Sequence, residues 1–191
     1  MTVRVSLIAP AMNAALREAR FDDAGPVELP PTGLDPLCLA AGVRVVGSPS
    51  GRCRATAEAL GLSDAYEVEP ALAGCAMGRW RGRRLDELTA EEPESVTRWL
   101  SDPGAAPHGG ESLRELRARV AEWMEGLQGL EGLESGTWWA VAEPDVIRTA
   151  VAHALGAPEE VFWRLDVRPL SRTTLSGRAG RWNLLFDGRI S

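Results

Sequence analysis

The residues of this 191-residue chain best placed to do chemistry stand where a predicted strand breaks into a predicted helix. Trp138-Trp139-Ala140-Val141-Ala142 reads as a buried strand, and Glu143-Pro144-Asp145-Val146-Ile147-Arg148 opens a helix. Pro144 in the first turn with acids around it is sound helix-start chemistry in any protein. The same end favours anions, because unpaired N–H groups and the helix dipole point there. Here two of the chain's own carboxylates, Glu143 and Asp145, occupy it. A carboxylate so placed can serve as a general base or a nucleophile, with burial and neighbours deciding which.

Only two histidines occur in the chain, His108 and His153. His153 lies inside a predicted helix beside Ala150 and Ala154 and reads as a packing residue. His108 sits in the segment Ser101 to Gly110, whose Pro103, Gly104, Pro107, Gly109 and Gly110 read as a mobile loop. A solvated side chain is the plain expectation for it, although loops also carry function. The three cysteines, Cys38, Cys53 and Cys75, are odd in number, widely spaced and free of any C-x-x-C pattern. Neither a disulfide framework nor a zinc site is suggested, and a reducing cytoplasm fits.

The elements that must position these groups alternate short apolar strands with amphipathic helices, the pattern of a layered α/β fold. Val3 to Ile8 reads as a strand that breaks at Ala9-Pro10-Ala11, and a helix follows over Asn13 to Arg20. A Pro- and Gly-rich loop over 22–33 leads to a short helix carrying Leu34, Leu37 and Leu39, then to a strand at Arg44-Val45-Val46. Ser48-Pro49-Ser50 opens a helix through Leu60 that Gly61 closes, and Glu67-Val68-Glu69 is a candidate strand. Helical stretches are predicted over 84–91 and 93–100. A helix from Ser112 carries a capping box with Glu115 and a stripe of Leu113, Leu116, Val120, Trp123, Met124 and Leu127. The helix from Pro144 stops at Gly156, and 173–175 with 182–185 reads as a terminal hairpin. One domain over residues 1–191 is expected. No run approaches a membrane-spanning length, and the apolar N-terminus lacks the basic flank of a signal peptide. A net charge of −6 argues against a general nucleic-acid binder. All 21 basic residues are arginine, which codon bias explains most simply.

Several motifs in order resemble the histidine phosphatase (phosphoglycerate-mutase-like) superfamily. Ser48-Pro49-x-x-Arg52-x-Arg54-x-Thr56-Ala57-Glu58 is similar to its second phosphate-binding motif, with Arg52 at the key arginine. Arg17-Glu18-x-Arg20-Phe21, Leu72 with Gly78-x-Trp80-x-Gly82, Gly109-Gly110-Glu111-Ser112 and Val146-Ile147-Arg148 match further segments. The resemblance implies a three-layer sandwich with a mostly parallel central sheet flanked by helices. It also places the family's functional groups. The phosphate-binding arginine and the phosphorylated histidine after the first strand fall on Ala9 and Pro10, the catalytic acid on Gly74, and the second histidine on Glu143. Only Arg52 keeps the family's group.

The family chemistry that the resemblance implies is nucleophilic: a histidine attacks phosphorus, arginines hold the transferring charge, and an acid protonates the leaving oxygen. On this register Pro10 supplies no nucleophile, so the expectation is a pseudophosphatase with a binding, regulatory or structural role. An anionic small-molecule pocket around Arg52, lined by Glu143, Asn13, His108 and Ser112, is the candidate site. An Arg52–Glu143 ion pair that partly replaces the bound phosphate is the expected outcome of the substitution. The competing expectation is an enzyme of changed chemistry, with Glu143 as base or nucleophile, Arg52 holding an anionic substrate and His108 as acid. Met12, Cys53, Cys75, Met77 and His108 map near the pocket, with Trp80 at its flank; lacking ligand spacing, the sulfur groups read as packing, and no metal or cofactor is expected. Expected partners are an anionic small molecule or a protein, with a homodimer compatible with the fold and no nucleic acid or membrane.

Overall fold

The computed structural model of the protein describes residues 2–21, 25–127, 136–178 and 180–186. Part of the loop expected over 22–33 therefore lies outside the described residues. Strand β1 (Val3–Ile8) forms the centre of the fold: Val3, Val5 and Leu7 make one face apolar, and on the other Ser6 and Ile8 are buried while Arg4 is exposed. Its Val3, Val5 and Leu7 join one core cluster, while Ile8 joins another on the opposite face. β1 runs parallel to β6 (Thr137–Val141), which runs parallel to β4 (Arg44–Gly47), and β4 runs parallel to β5 (Tyr66–Val68). On its other side β1 pairs antiparallel with β7 (Arg172–Arg178), and β7 with β8 (Arg181–Leu185). The sheet order is β5-β4-β6-β1-β7-β8, mostly parallel as expected. β2 (Met12–Asn13) and β3 (Val27–Glu28) make a separate two-stranded ribbon.

Helices cover both faces. α5 (Leu113–Gly126) and α6 (Pro144–Ala154) pack on Val3, Val5, Leu7, Trp138 and Ala140, burying Leu116, Val120, Met124, Val146, Ile147 and Ala150. α2 (Gly51–Ala59) lies against Ile8, Val45 and Val141 through Cys53 and Ala57. Gly61 ends α2 at φ +71°, a left-handed turn that glycine adopts without a Cβ penalty. The predicted hairpin, the capped α5 helix and the Pro144-started α6 helix all form as read.

Three expectations about secondary structure are corrected. The helix predicted over 13–20 is only the single turn α1 (Ala14–Arg17), ended by Ala19 at φ +48°. No helix forms at 34–39. Leu34, Leu37 and Leu39 instead lay an irregular chain against the α2-side core, with the Leu37 N–H donating to the Leu60 carbonyl. Pro36 falls inside that stretch and biases Asp35 before it away from helical backbone. The segment 101–110 is also tied down rather than loose. Its Ala105 and His108 are buried, and the Arg79 N–H donates to the His108 carbonyl.

A third apolar cluster explains that. Trp80, Trp99, Leu88 and Val96 pack together with Phe21, Leu85 and Trp163, joining α3 (Leu85–Glu91) to α4 (Pro93–Ser101). Trp80, expected at the flank of the pocket, has no exposed surface and meets Trp99 edge-on at 5.7 Å between centroids. No helix among the described residues is long and apolar enough to cross a membrane.

Candidate functional site

Three parallel strands end side by side at the candidate site. The Ala142 N–H donates to the Ile8 carbonyl (3.0 Å), and the Ser48 N–H to the Val141 carbonyl (2.9 Å), so β1, β6 and β4 stop at one level. Ligands in open α/β sheets bind outside the carboxyl ends of the strands, because the loops and helix N-termini there leave main-chain donors free. The chain emerges from this edge as Ala9-Pro10, Ser48-Pro49-Ser50 and Ala142-Glu143.

The first exit carries no reactive group. Ala9 is fully buried, donating its N–H to the Ser171 carbonyl and accepting from the Leu170 N–H. Pro10 is buried and has no N–H to offer. The Ala11 N–H donates to Thr56 Oγ1 (2.9 Å), and that hydroxyl donates to the Arg52 carbonyl (2.8 Å), so this exit is fastened to α2.

The second and third exits meet in a closed polar cluster. Ser50 caps α2, its Oγ accepting from the Cys53 N–H at 3.1 Å. The same hydroxyl donates to Glu143 Oε1 at 2.6 Å. Arg52 clasps Glu143 from the other side, Nη2 on Oε2 and Nε on Oε1. The Cys53 thiol also lies within hydrogen-bond range of Oε1, at 3.5 Å. Arg52 and Glu143 are only 6 % and 4 % exposed, so the pair is sealed from water. The expected ion pair is thus present, and it is nearly dry. Arg52 Nη1 is buried without a hydrogen-bond partner among the described residues.

The segment around Gly74 packs directly on this pair. A Cβ at Gly74 would lie 3.3 Å from Glu143 Cγ and 3.6 Å from Asp145 Oδ2. Beside it the Cys75 N–H donates to Asp145 Oδ2 (2.6 Å), and the Val146 N–H to Oδ1 (2.8 Å). Burial pushes the Asp145 carboxyl above the usual range, against the lowering effect of the Cys75 N–H, and the Glu143 charge adds to the rise. Burial and then the Glu143 charge push the Cys53 thiol well up, so it is no ready thiolate. Burial, then Asp145 and Glu111, raise Cys75 likewise.

Arg119 fixes that segment in place. Its Nη1 donates to the Ala71 and Ala73 carbonyls (2.7 and 3.0 Å), while Nε and Nη2 grip Glu111 in a forked pair. The Glu111 N–H donates to the Ala76 carbonyl (2.7 Å), and Gly110 passes so close that a Cβ would fall 1.8 Å from that oxygen.

The other residues expected to line the pocket have partners in the frame of the fold. Asn13 Oδ1 caps α1 by accepting from the Leu16 N–H (2.9 Å). Ser112 and Glu115 cap α5 reciprocally, Ser112 Oγ accepting from the Glu115 N–H at 3.2 Å. His108 is the clearest correction. It is 1 % exposed, its ring lies 5.1 Å from that of Trp80, and its Nδ1 accepts from the Gly110 N–H (3.0 Å). Burial, then the Arg79 charge, lower its pKa, so it is a neutral core imidazole rather than a solvated loop group. His153 sits on α6 with Nε2 3.0 Å from Glu125 Oε1. Neither histidine stands at the end of β1 or β6. Among the described residues no three His, Cys, Asp or Glu side chains gather to hold a metal.

Sequence reasoning missed Ser50 and Cys53 as partners of Glu143, and Arg119 as the tie on the 71–75 segment. The usable signal for Ser50 was its place at the helix cap, which turns its hydroxyl toward the neighbouring strand end.

A parallel-centred α/β sandwich with its polar cluster at the strand ends is the architecture of a known class. Residues 40–187 match the histidine phosphatase superfamily (branch 1), and the chain belongs to that superfamily. The match begins after β1 and includes Arg52, Gly74 and Glu143. Among curated proteins, the bifunctional protein Rv2228c of Mycobacterium tuberculosis is 30 % identical over 125 residues, covering 64 % of this chain and 34 % of that protein. The chain thus spans about a third of the length of the curated relatives it matches. Among solved structures, a mycobacterial glucosyl-3-phosphoglycerate phosphatase superposes with a TM-score of 0.75 at 25 % identity, covering 95 % of this chain and 96 % of the other. The alpha-ribazole phosphatase of Shigella flexneri superposes with a TM-score of 0.76 at 21 % identity, covering 96 % and 95 %.

Proposed function

We propose that this chain is a pseudophosphatase: a histidine phosphatase frame that works by binding a partner and does not transfer phosphoryl groups. The observation that carries the reading is the sealed Arg52–Glu143 pair, in which the protein's own carboxylate occupies the arginine that would hold a phosphate. A carboxylate about 4 Å from a phosphate oxygen repels it by roughly 4 kcal/mol at an effective dielectric of 20. That alone weakens phosphate binding by about a thousandfold. Pro10 supplies no nucleophile at the end of β1, and loss of the nucleophile from a coupled catalytic unit costs on the order of 10⁶ in rate. Gly74 supplies no acid.

The filled cluster also supports a protein partner over a small anion, since Arg52 is buried and clasped by Glu143. The reading of Glu143 as a general base requires Arg52 free for substrate and a nearby acid. Arg52 is engaged by Glu143, and the contacts of His108 are with Trp80 and Gly110. The test is hydrolysis of p-nitrophenyl phosphate and a panel of phosphorylated sugars and glycerates, with Arg52→Ala and Glu143→Ala run beside the unsubstituted protein. No turnover above the variants is expected. Turnover that both substitutions abolish would overturn the reading and show a new mechanism on the old frame.

A further inference from the structure

We propose that the free edge of β8 is a docking site for an extended, acidic segment of a partner protein. Among the described residues β8 ends the sheet, with β7 on one side and no strand on the other. Arg178 pairs directly with Arg181, and only two residues separate them in sequence. They therefore form the hydrogen-bonded pair that closes a two-residue hairpin, and pairing alternates from there. Arg181, Asn183 and Leu185 direct their main chain to β7, whereas Trp182 and Leu184 turn N–H and C=O outward. The edge thus offers the donor and acceptor pattern that β-augmentation uses.

The side chains specify the charge of the occupant. Directly paired residues share a sheet face, as do residues two apart on one strand. Arg181 and Arg178 are thus on one face, and Arg4, paired with Ser176, joins them one diagonal step away. All three are exposed, and none forms an ion pair with a described residue. Like charges directly opposed across two strands are unfavourable, and in a chain of net charge −6 this strip stands against the overall sign. A glutamate or aspartate on an added strand, opposite Arg181, relieves it. Just past the strand, Phe186 is 90 % exposed, which suits an apolar neighbour on the same segment. The pairing of Val3 with Gly177 sets this hairpin tip at the start of β1, the end of the sheet remote from Glu143. Binding here is therefore independent of the state of the Arg52–Glu143 pair.

The probe is the acetylated, amidated peptide TEVEVT, against its lysine counterpart TKVKVT. Binding is read by fluorescence anisotropy and by the amide shifts of Trp182 and Leu184. The unsubstituted protein is expected to bind the acidic peptide at least about tenfold more tightly than the basic one. Leu184→Pro removes one outward N–H without touching the β7 ladder and should abolish binding. Because that change also alters packing, the surface variant Arg178→Glu/Arg181→Glu is decisive: it should reverse the preference in favour of the lysine peptide. Amide shifts unmoved by either peptide, or a preference that charge reversal leaves intact, would overturn the proposal. So would self-association in sedimentation that Leu184→Pro abolishes, since the occupant would then be a second copy of the chain.

Discussion

Removing the Glu143 side chain should both weaken the fold and open the anion site, and phosphate should then repair part of the damage. Glu143→Ala leaves Arg52 charged and nearly dry with no counter-ion, and takes the acceptor from Ser50 and Cys53. Breaking one side of a buried pair costs about 3–5 kcal/mol, because the remaining charge is uncompensated. Domains of this kind hold only about 5–15 kcal/mol in all, so the loss will move the urea midpoint strongly while leaving the slope unchanged. The vacated volume faces Arg52 and the Ser50 hydroxyl, donors that suit an oxyanion. A ligand that binds only the folded state adds about 2.7 kcal/mol at a hundred times its dissociation constant. Urea unfolding of Glu143→Ala in phosphate and in chloride at matched ionic strength should show this recovery. The unsubstituted protein should show none, and neither should Arg52→Ala/Glu143→Ala, which lacks the cation. The double variant should also be more stable than Glu143→Ala alone, since it buries no lone charge. A Glu143→Ala protein within about 1 kcal/mol of the unsubstituted one, with no phosphate effect, would refute the claim that the pair fills the site.

Other consequences can be checked by the same unfolding measurement. His108 has a lowered pKa in the fold, so its contribution is present above the unfolded value near 6.5 and is lost as pH falls through the folded pKa. His108→Asn keeps an acceptor for Gly110 but does not titrate, and its stability should fall less than that of the unsubstituted protein below about pH 6.5. Asp145, raised in both proteins, acts in the opposite sense and cancels in the comparison. Gly110→Ala sets a Cβ against the Ala76 carbonyl and the Gly78 amide, both main chain, and should cost about 3 kcal/mol by unfolding. Ser112→Ala removes the α5 cap and should cost about 1 kcal/mol while leaving any ligand affinity unchanged, as befits a residue of the frame.

The fold was legible where local pattern and tertiary demand coincide. The short apolar run of β1, the capped stripe of α5 and the Pro144 start of α6 are each written in a few neighbouring residues. The 34–39 segment was misread because leucines that a short helix would carry also suit an irregular chain lying on a core, and Pro36 decides between the two. His108 was misread for a different reason. Pro and Gly around it signal a loop, but its burial depends on Trp80, nearly thirty residues away, a contact that composition does not encode. At the candidate site the pairing of Arg52 with Glu143 was expected because the family resemblance put both residues at one phosphate position and their charges are opposite. The sealing of that pair did not, because it arises from Ser50, Cys53 and the Gly74 segment, which converge from separate elements.

The most direct test of the central claim is calorimetric titration of the unsubstituted protein and Glu143→Ala with inorganic phosphate. The account predicts no binding to the unsubstituted protein at millimolar phosphate, and binding to the variant stronger by up to about a thousandfold. Tight phosphate binding by the unsubstituted protein, lost in Arg52→Ala, would contradict it and return the chain to the working phosphatases.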